Sequence, residues 1–263
     1  MDEKPEKVGP GGGRKATEPE ILFGWIGRIL PWIGGTTGLL LGLGLYFGLF
    51  ASPADSRQGE AVRIMYVHVP SAWIAMMAYC LAAAFSLAGL VRRRPLYHIA
   101  ANAVAVPGAA FTFLCLATGS LWGRPMWGVW WSWDARLTSM LILLFLYFGF
   151  IALSHSFDDR LRGWRASSIL ILVGAVNVPI IKFSVDWWRT LHQPSSLFAP
   201  NGPAISSEMA APLMLMTAGF TLFFILVSLL RLRTEIAAAM IRNMRRSCSG
   251  SLADGMWRTG SQF

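Results

Sequence analysis

The stretch LTSMLILLFLYFGFIALSHSF, residues 137–157, contains no Asp, Glu, Lys or Arg. A membrane-spanning helix needs about 20 mostly apolar residues, so this stretch is long enough to cross a bilayer. Five more charge-free stretches occur, at 29–54, 64–91, 95–123, 166–181 and 209–230. We therefore predict an all-α, polytopic membrane protein with six transmembrane helices, near 29–50, 70–91, 97–119, 137–155, 166–185 and 209–230.

The composition of the whole chain also favours the bilayer as its solvent. Of its 263 residues, 54% are hydrophobic and only 14% are charged, whereas soluble domains carry about 25% charged residues. A single soluble core of this apolarity would leave a large apolar surface exposed to water. The net charge of +9 is compatible with nucleic-acid binding, but the positions of the basic residues explain it better.

Lysine and arginine lie mainly on one side of the predicted spans. If the N-terminus is cytoplasmic, the inner segments contain 17 of them and the outer segments contain 6. Because cytoplasmic loops are enriched in these residues, both termini are predicted to be inside, and no nucleic-acid partner is predicted. The domains are then a disordered cytoplasmic tail at 1–20, a membrane domain with outer binding loops at 21–231, and a basic cytoplasmic tail at 232–263.

The outer loops, predicted at 51–69, 120–136 and 186–208, carry the candidate chemistry. The middle loop holds five of the chain's 12 tryptophans within 12 residues: Trp122, Trp127, Trp130, Trp131 and Trp133. An aromatic belt at the membrane–water boundary explains a few tryptophans at each face. A cluster this dense on one face instead indicates a rigid aromatic platform, which suits a large planar π-system.

Each of the two flanking outer loops contains one histidine, His68 or His192. Pro70 suits the first turn of a helix, which predicts that His68 lies just ahead of that helix at the membrane surface. Neutral imidazole is a common iron ligand, and haem iron takes two axial ligands. Two histidines on either side of a tryptophan platform therefore predict a bis-histidine haem site. The alternative for each is an ordinary hydrogen-bonded residue at the interface.

Three charged residues belong to the tryptophan loop: Arg124, Asp134 and Arg136. Either guanidinium could pair with a haem carboxylate, because the two groups match in a bidentate geometry. Asp134 could orient one of the arginines or cap the helix that begins near Leu137. Helix capping and anchoring at the interface are the alternatives for all three.

No ligand role is predicted for the other histidines or for the cysteines. His98 and His155 fall at the cytoplasmic face, about 30 Å of hydrocarbon from the platform, and are expected to be ordinary interfacial residues. Cys80, Cys115 and Cys248 form no CxxC pair and have no metal-ligand spacing with histidine. Neither a disulfide framework nor a zinc site is therefore predicted.

Three motifs together resemble a known family. The segment WGRPMWGVWWSWDARLTS at 122–139 resembles the tryptophan-rich WWD signature of haem-handling membrane proteins. With YVHVPSAW at 66–73 and WWRTLHQP at 187–194, the chain resembles the CcmC family over about 29–231. That family is the haem-delivery component of the bacterial system I pathway for cytochrome c maturation.

The resemblance implies a site, a route and a set of partners. Haem b would bind at the periplasmic side of the bacterial inner membrane, through His68 and His192 and in contact with the tryptophan motif. It would pass to the periplasmic haem chaperone CcmE, with CcmD and the ABC transporter subunits CcmA and CcmB as partners. The function would be haem transport in c-type cytochrome biogenesis, and no enzymatic activity is expected.

Two other functions are compatible with an apolar chain of six spans. A bis-histidine electron-transfer subunit usually holds its haem between histidines inside the spans, whereas both candidate histidines are predicted in loops. A solute transporter needs polar groups along its path, and few occur centrally beyond Asn102, Thr112 and Asn177. Reversible redox cycling with quinol would indicate the first function, and solute transport by the purified protein the second.

Overall fold

A computed structural model describes residues 17–188, 190–192 and 205–259, with backbone only at 243 and beyond 244. Within these residues the chain forms helices and no strand. A π-helical turn, Phe47–Ala51, extends the first helix, and a 3-10 helix, Glu60–Ile64, leads into the second. The helices are α1 (Glu18–Tyr46), α2 (Met65–Arg92), α3 (Pro95–Trp127), α4 (Ala135–His155), α5 (Arg160–Gly174), α6 (Asn177–Trp187) and α7 (Ser207–Thr259).

Among the described residues, six helical segments are long and apolar enough to cross a bilayer, which confirms the predicted number of spans. All six extend past the predicted bounds at one end or at both. The segments are Glu18–Ala51, Glu60–Arg92, Pro95–Trp127, Ala135–His155, Arg160–Trp187 and Ser207–Arg242.

The core of the bundle lies where α2, α3 and α4 pack around buried aromatic side chains. Tyr79 and Tyr147 are fully buried, and their rings meet edge to face with centroids 5.2 Å apart. The Tyr147 hydroxyl donates to the Ala75 carbonyl over 2.9 Å. Gly108 makes room for it, since a Cβ there would lie 2.5 Å from the Tyr147 oxygen. These contacts fix the relative positions of the three helices.

Helices α1 and α7 pack on each other beside this core. Gly44 admits Met216, and Gly219 admits Leu41; an added Cβ would lie 2.7 Å and 2.8 Å from the respective side chain. Small residues of this kind let membrane helices approach closely and gain dispersion contacts. The first and last spans therefore form a pair that flanks the core.

The fifth span is made of two helices, α5 and α6, with a break after Gly174. The buried Asn177 amide donates to the Ser139 carbonyl on α4 over 2.8 Å. The Tyr79 hydroxyl occupies the space that a Cβ at Gly174 would need. Broken backbone is tolerated at membrane depth where protein surrounds it. The break leaves α6 as a short separate element that leads to His192.

Two predicted boundaries beside the candidate site were wrong. Helix α2 begins at Met65, so His68 lies inside its first turn rather than ahead of it. Helix α3 continues to Trp127, so residues 120–127 are helical rather than part of a loop. It ends where Gly128 adopts a φ of 76°, a left-handed conformation that glycine favours. Arg124 does not interrupt the helix, since arginine is a good helix former, and its side chain donates to the Gly128 carbonyl at the helix end.

The predicted tails stay predictions. Residues 1–16 of the first tail lie outside the described residues, and α1 begins at Glu18. In the predicted basic tail, the backbone of α7 continues to Thr259. Much of the predicted third outer loop, 193–204, also lies outside the described residues.

Candidate functional site

His68 projects from the first turn of α2 into a niche on α3. Its Nδ1 lies 3.1 Å from the Cys115 carbonyl and 3.1 Å from the Thr118 hydroxyl. Because a carbonyl can only accept, Nδ1 carries the ring proton and Nε2 keeps its lone pair. Gly119 completes the niche, since a Cβ there would lie 3.0 Å from Cε1 of the imidazole. The niche therefore fixes both the position and the tautomer of His68.

His192 is held by Asp134. Its Nδ1 lies 3.0 Å from Asp134 Oδ2, and the two side chains are 18% and 7% exposed. The other carboxylate oxygen accepts from the Leu137 N–H over 2.8 Å and caps α4. One carboxylate thus begins a helix and orients a histidine, with the ring proton on Nδ1 and the lone pair on Nε2.

The Asp134 carboxyl is ionised at neutral pH. Burial raises its pKa, but hydrogen bonds from His192 and from the Leu137 N–H outweigh burial, and the pKa lies below its usual value. Of the two roles considered from the sequence, the structure shows the helix cap. The second role differs from the expectation, because Asp134 hydrogen-bonds to a histidine and not to an arginine.

Two of the five clustered tryptophans contact the histidines through ring edges. The Trp122 ring lies 5.6 Å from His68 between centroids, and the Trp127 ring lies 5.0 Å from His192. The Trp122 indole N–H donates to Gln58 Oε1 over 3.0 Å, which ties the segment 52–59 to the site. Each imidazole therefore has one indole packed beside it.

The other three tryptophans of the cluster lie further along the chain, after α3 ends. Trp130 and Trp133 are 56% and 77% exposed. Trp131 packs edge-on against Trp133 with centroids 5.5 Å apart, and its indole N–H is buried without a partner among the described residues. The predicted platform is therefore divided between rings that pack on the histidines and rings that lie at the surface.

Arg136 and Arg124 occupy different environments. Arg136 lies within electrostatic range of His68, and it donates to the Lys182 carbonyl over 3.4 Å. Its Nε is buried and has no partner within the described part of the chain. Arg124 is exposed and donates to the Gly128 carbonyl at the end of α3. Of the two arginines, only Arg136 therefore has a buried donor that no described residue engages.

His192 also lies within electrostatic range of His68, so the two rings lie at the same end of the bundle. No hydrogen bond to another described residue engages Nε2 of either ring. The described residues hold no group of three or more His, Cys, Asp or Glu that could bind a metal ion. A haem iron already has four porphyrin nitrogens and needs only two axial ligands. The site therefore suits haem better than a bare metal ion.

The histidines at the opposite end of the bundle differ from each other. His98 is 6% exposed and stacks on Trp164 with centroids 5.5 Å apart. Its ring hydrogen-bonds to the Ser168 hydroxyl and to the backbone of Gly89. His98 is thus a buried residue that connects α2, α3 and α5, and the prediction of an ordinary interfacial residue was wrong. His155 is exposed, as expected at an interface.

Three residues of the site were not predicted: Gln58, Thr118 and Gly119. The last two lie near the end of an apolar span, where a small polar residue beside a glycine carries no distinctive signal. The Asp134–His192 pair does have a signal. A ligating histidine commonly donates its second N–H to a carboxylate, and Asp134 is the one acidic residue between 120 and 136.

The chain is similar to known proteins over most of its length. A family model described as Heme exporter protein C, CcmC, matches residues 14–247. Heme exporter protein C of Bradyrhizobium diazoefficiens is 49% identical over 235 residues, 89% of each chain. The protein of that name from Escherichia coli K12 is 45% identical over 218 residues, 83% of this chain and 88% of its own. That from Rhodobacter capsulatus is 38% identical over 221 residues, 84% and 91% of the two chains.

Proposed function

Because the chain belongs to the CcmC family, we propose that it holds haem b at the periplasmic face of the bacterial inner membrane and passes it to the haem chaperone CcmE. Haem export in cytochrome c maturation is the role of this family, and the six spans make the chain a multi-pass membrane protein. The proposal adds the site, the side of the membrane and the recipient. In this proposal the protein carries haem and does not catalyse a reaction.

One observation supports haem binding most directly: both His68 and His192 have Nδ1 hydrogen-bonded and Nε2 free of a partner among the described residues. A histidine that ligates iron usually donates its other ring N–H to a carbonyl or carboxylate, which fixes the ring and its tautomer. His68 has the carbonyl, and His192 has the carboxylate. Both are therefore prepared to offer a lone pair to iron.

We also assign the charged and aromatic residues around the histidines roles in haem binding. Arg136 pairs with a haem carboxylate through its unused donor, because guanidinium and carboxylate match geometrically. Trp122 and Trp127 hold the two imidazoles, while the exposed Trp130 and Trp133 supply apolar surface for the porphyrin or its recipient. Arg124 completes the end of α3 and contributes little to haem binding.

The direction of the chain in the membrane is part of the proposal. The bias of basic residues favours cytoplasmic termini, which assigns the end that carries His68 and His192 to the periplasm. Reporter fusions after residues 58, 128 and 197 are expected to report the periplasm, and fusions after 94, 160 and 245 the cytoplasm. Inverted results at two or more sites would reject this orientation.

The proposed partners follow from the family and from the lack of a nucleotide-binding motif in the sequence. Its sequence contains no GxxxxGK(S/T) motif for binding nucleotide phosphates. Any energy from ATP would therefore come from other subunits, which we assign to CcmA and CcmB. CcmD is assigned as a further membrane partner.

The electron-transfer alternative needs a direct test, because one sequence argument against it has weakened. His68 lies within α2 rather than in a loop, which is closer to the ligand position of an electron carrier. His192 lies beyond the end of α6, as expected for a site at the membrane surface. An electron carrier would cycle its haem reversibly with quinol, and a haem carrier need not.

Transfer to CcmE tests the proposal as a whole. Cells would express CcmE with either the parent chain or the variant in which His68 and His192 are both alanine. We expect covalently haem-bound CcmE with the parent and none with the variant, at equal membrane levels of the two chains. His155→Ala is the matched control. Undiminished haem on CcmE with the double variant would exclude the proposed site.

A further inference from the structure

The two histidines differ in what holds their second nitrogen. His192 donates to the carboxylate of Asp134 over 3.0 Å, and that carboxylate is fixed by the Leu137 N–H. His68 donates to the Cys115 carbonyl and lies near the Thr118 hydroxyl, which are both neutral. The Thr118 hydroxyl itself donates to the Leu114 carbonyl over 2.7 Å, so it can only accept from His68.

This difference changes the strength of each imidazole as a ligand. A hydrogen bond from Nδ1 to a carboxylate raises the basicity of the ring and strengthens its donation to a metal. A hydrogen bond to a neutral carbonyl raises the basicity less, because a neutral acceptor stabilises positive charge on the ring less than a carboxylate does. In addition, the cationic Arg136 lies within electrostatic range of His68 and opposes the positive charge that the ring gains on ligation.

Resting on the proposed haem site, we propose that its axial ligands are unequal: His192, paired with Asp134, is the strong ligand, and His68 leaves first when the haem is handed over. In that step the bond between iron and His68 Nε2 breaks and its electron pair returns to the imidazole. The lone pair of an incoming ligand then forms the new bond to iron. The iron keeps its oxidation state, and no proton is transferred. Asp134 is thus a positioning residue that decides which bond breaks.

Carbon monoxide serves as the incoming ligand in the test. The full-length protein is purified with haem, reduced and exposed to carbon monoxide, and the Fe–CO and C–O stretches are recorded by resonance Raman and infrared spectroscopy. Their joint position reports the donor strength of the histidine that remains opposite the carbon monoxide. We expect the parent adduct to match that of His68→Ala, in which only His192 can remain. A parent adduct that matches His192→Ala would overturn the proposal.

A second measurement does not depend on the histidine variants. Asp134→Asn keeps the helix cap, since asparagine is an equally good N-cap residue, but removes the negative charge. We expect it to raise the midpoint reduction potential of the bound haem, because a weaker donor stabilises ferric iron less. Thr118→Val removes a neutral acceptor from His68 and should shift the potential less. An equal shift in both variants, or none in Asp134→Asn, would overturn the proposal.

Failure of this inference is distinguishable from failure of the proposed function. If the haem spectrum of the parent is that of a bis-histidine complex and both single histidine variants alter it, the site stands whatever Asp134 does. If the double variant retains the parental spectrum, the site itself is wrong, and the unequal ligands are wrong with it.

Discussion

The two ends of the bundle each carry two histidines, but the surroundings of the two pairs differ. His68 lies in the second span and His192 lies just beyond the fifth. Both have their Nδ1 atoms fixed and keep Nε2 without a partner among the described residues. His98 is enclosed by an indole, a hydroxyl and a glycine. His155 is exposed and bonds within its own helix, to the Ile151 carbonyl over 2.9 Å.

Burial of a histidine ring therefore does not by itself indicate that the histidine binds a metal or a cofactor. His98 is more buried than His68, yet its surroundings leave no space for a cargo. A cofactor or cargo site needs an imidazole whose orientation is fixed and whose other nitrogen is left available. Only the end with the Asp134 cap and the Gly119 niche meets both conditions.

The largest expected effect is at the histidines with an available Nε2. Replacing both His68 and His192 by alanine removes both axial nitrogens. Haem retention should fall roughly 100-fold or more, beyond the loss typical when a residue that only orients a ligand is replaced. Each single change should weaken retention and alter the absorption spectrum without always abolishing binding. Spectra of protein purified from haem-rich cells provide the measurement.

The next effect should separate the tryptophans that contact histidines from those at the surface. Trp127→Leu keeps apolar bulk but removes the ring edge that packs on His192, so haem retention should fall about 10-fold. The matched comparison is Trp133→Leu, whose ring is largely exposed, so retention should fall less than in Trp127→Leu. An equal loss in both would mean that the whole cluster binds haem as one platform.

A third change tests whether His98 stabilises the packing of α2, α3 and α5. His98→Ala leaves a cavity and unpaired partners between α2, α3 and α5, which should cost roughly 2–4 kcal/mol of stability. The midpoint temperature of unfolding in detergent should fall, while the haem spectrum of the protein that remains folded should equal the parent's. A changed spectrum at unchanged stability would mean that His98 belongs to a haem path.

Much of the fold follows from hydropathy, and the errors have physical causes. Charge-free runs locate all six spans because the bilayer excludes unpaired charge. The same rule placed the end of the third span at 119, ahead of Arg124, whereas α3 continues through Arg124 to Trp127. Pro70 suggested a helix start, but α2 already begins five residues earlier, after a 3-10 helix.

The candidate site was only partly predictable for a different reason. The residue types and the common face of His68 and His192 are visible in the motifs. Their hydrogen-bond partners are not, because Cys115 is 47 residues from His68 and Asp134 is 58 residues from His192 along the chain. Contacts over such separations depend on how the helices pack, and one chain's periodicity does not report packing. The burial of His98 was missed for the same reason.

A smaller effect is expected where the segment 52–59 meets the site. Gln58→Ala removes the acceptor of the Trp122 indole N–H, a single hydrogen bond worth about 1 kcal/mol. Trp122 should become less fixed beside His68, and haem should dissociate a few-fold faster. Ser56→Ala is the neighbouring control, since Ser56 is exposed. Equal dissociation rates for the Gln58 variant and the parent would show that Trp122 needs no anchoring.

The smallest effect is expected at His155, and it closes the comparison. His155 is exposed, and within the described part of the chain its ring bonds to Ser154 and to a carbonyl of its own helix. Replacement by alanine should change stability by no more than about 0.5 kcal/mol, as is usual for surface substitutions. The haem spectrum and the transfer to CcmE should equal the parent's, whereas the variant lacking His68 and His192 should lose both. If His155→Ala altered the spectrum while that double variant kept it, haem would bind at the other end of the bundle, and the assignment of the two ends would be reversed.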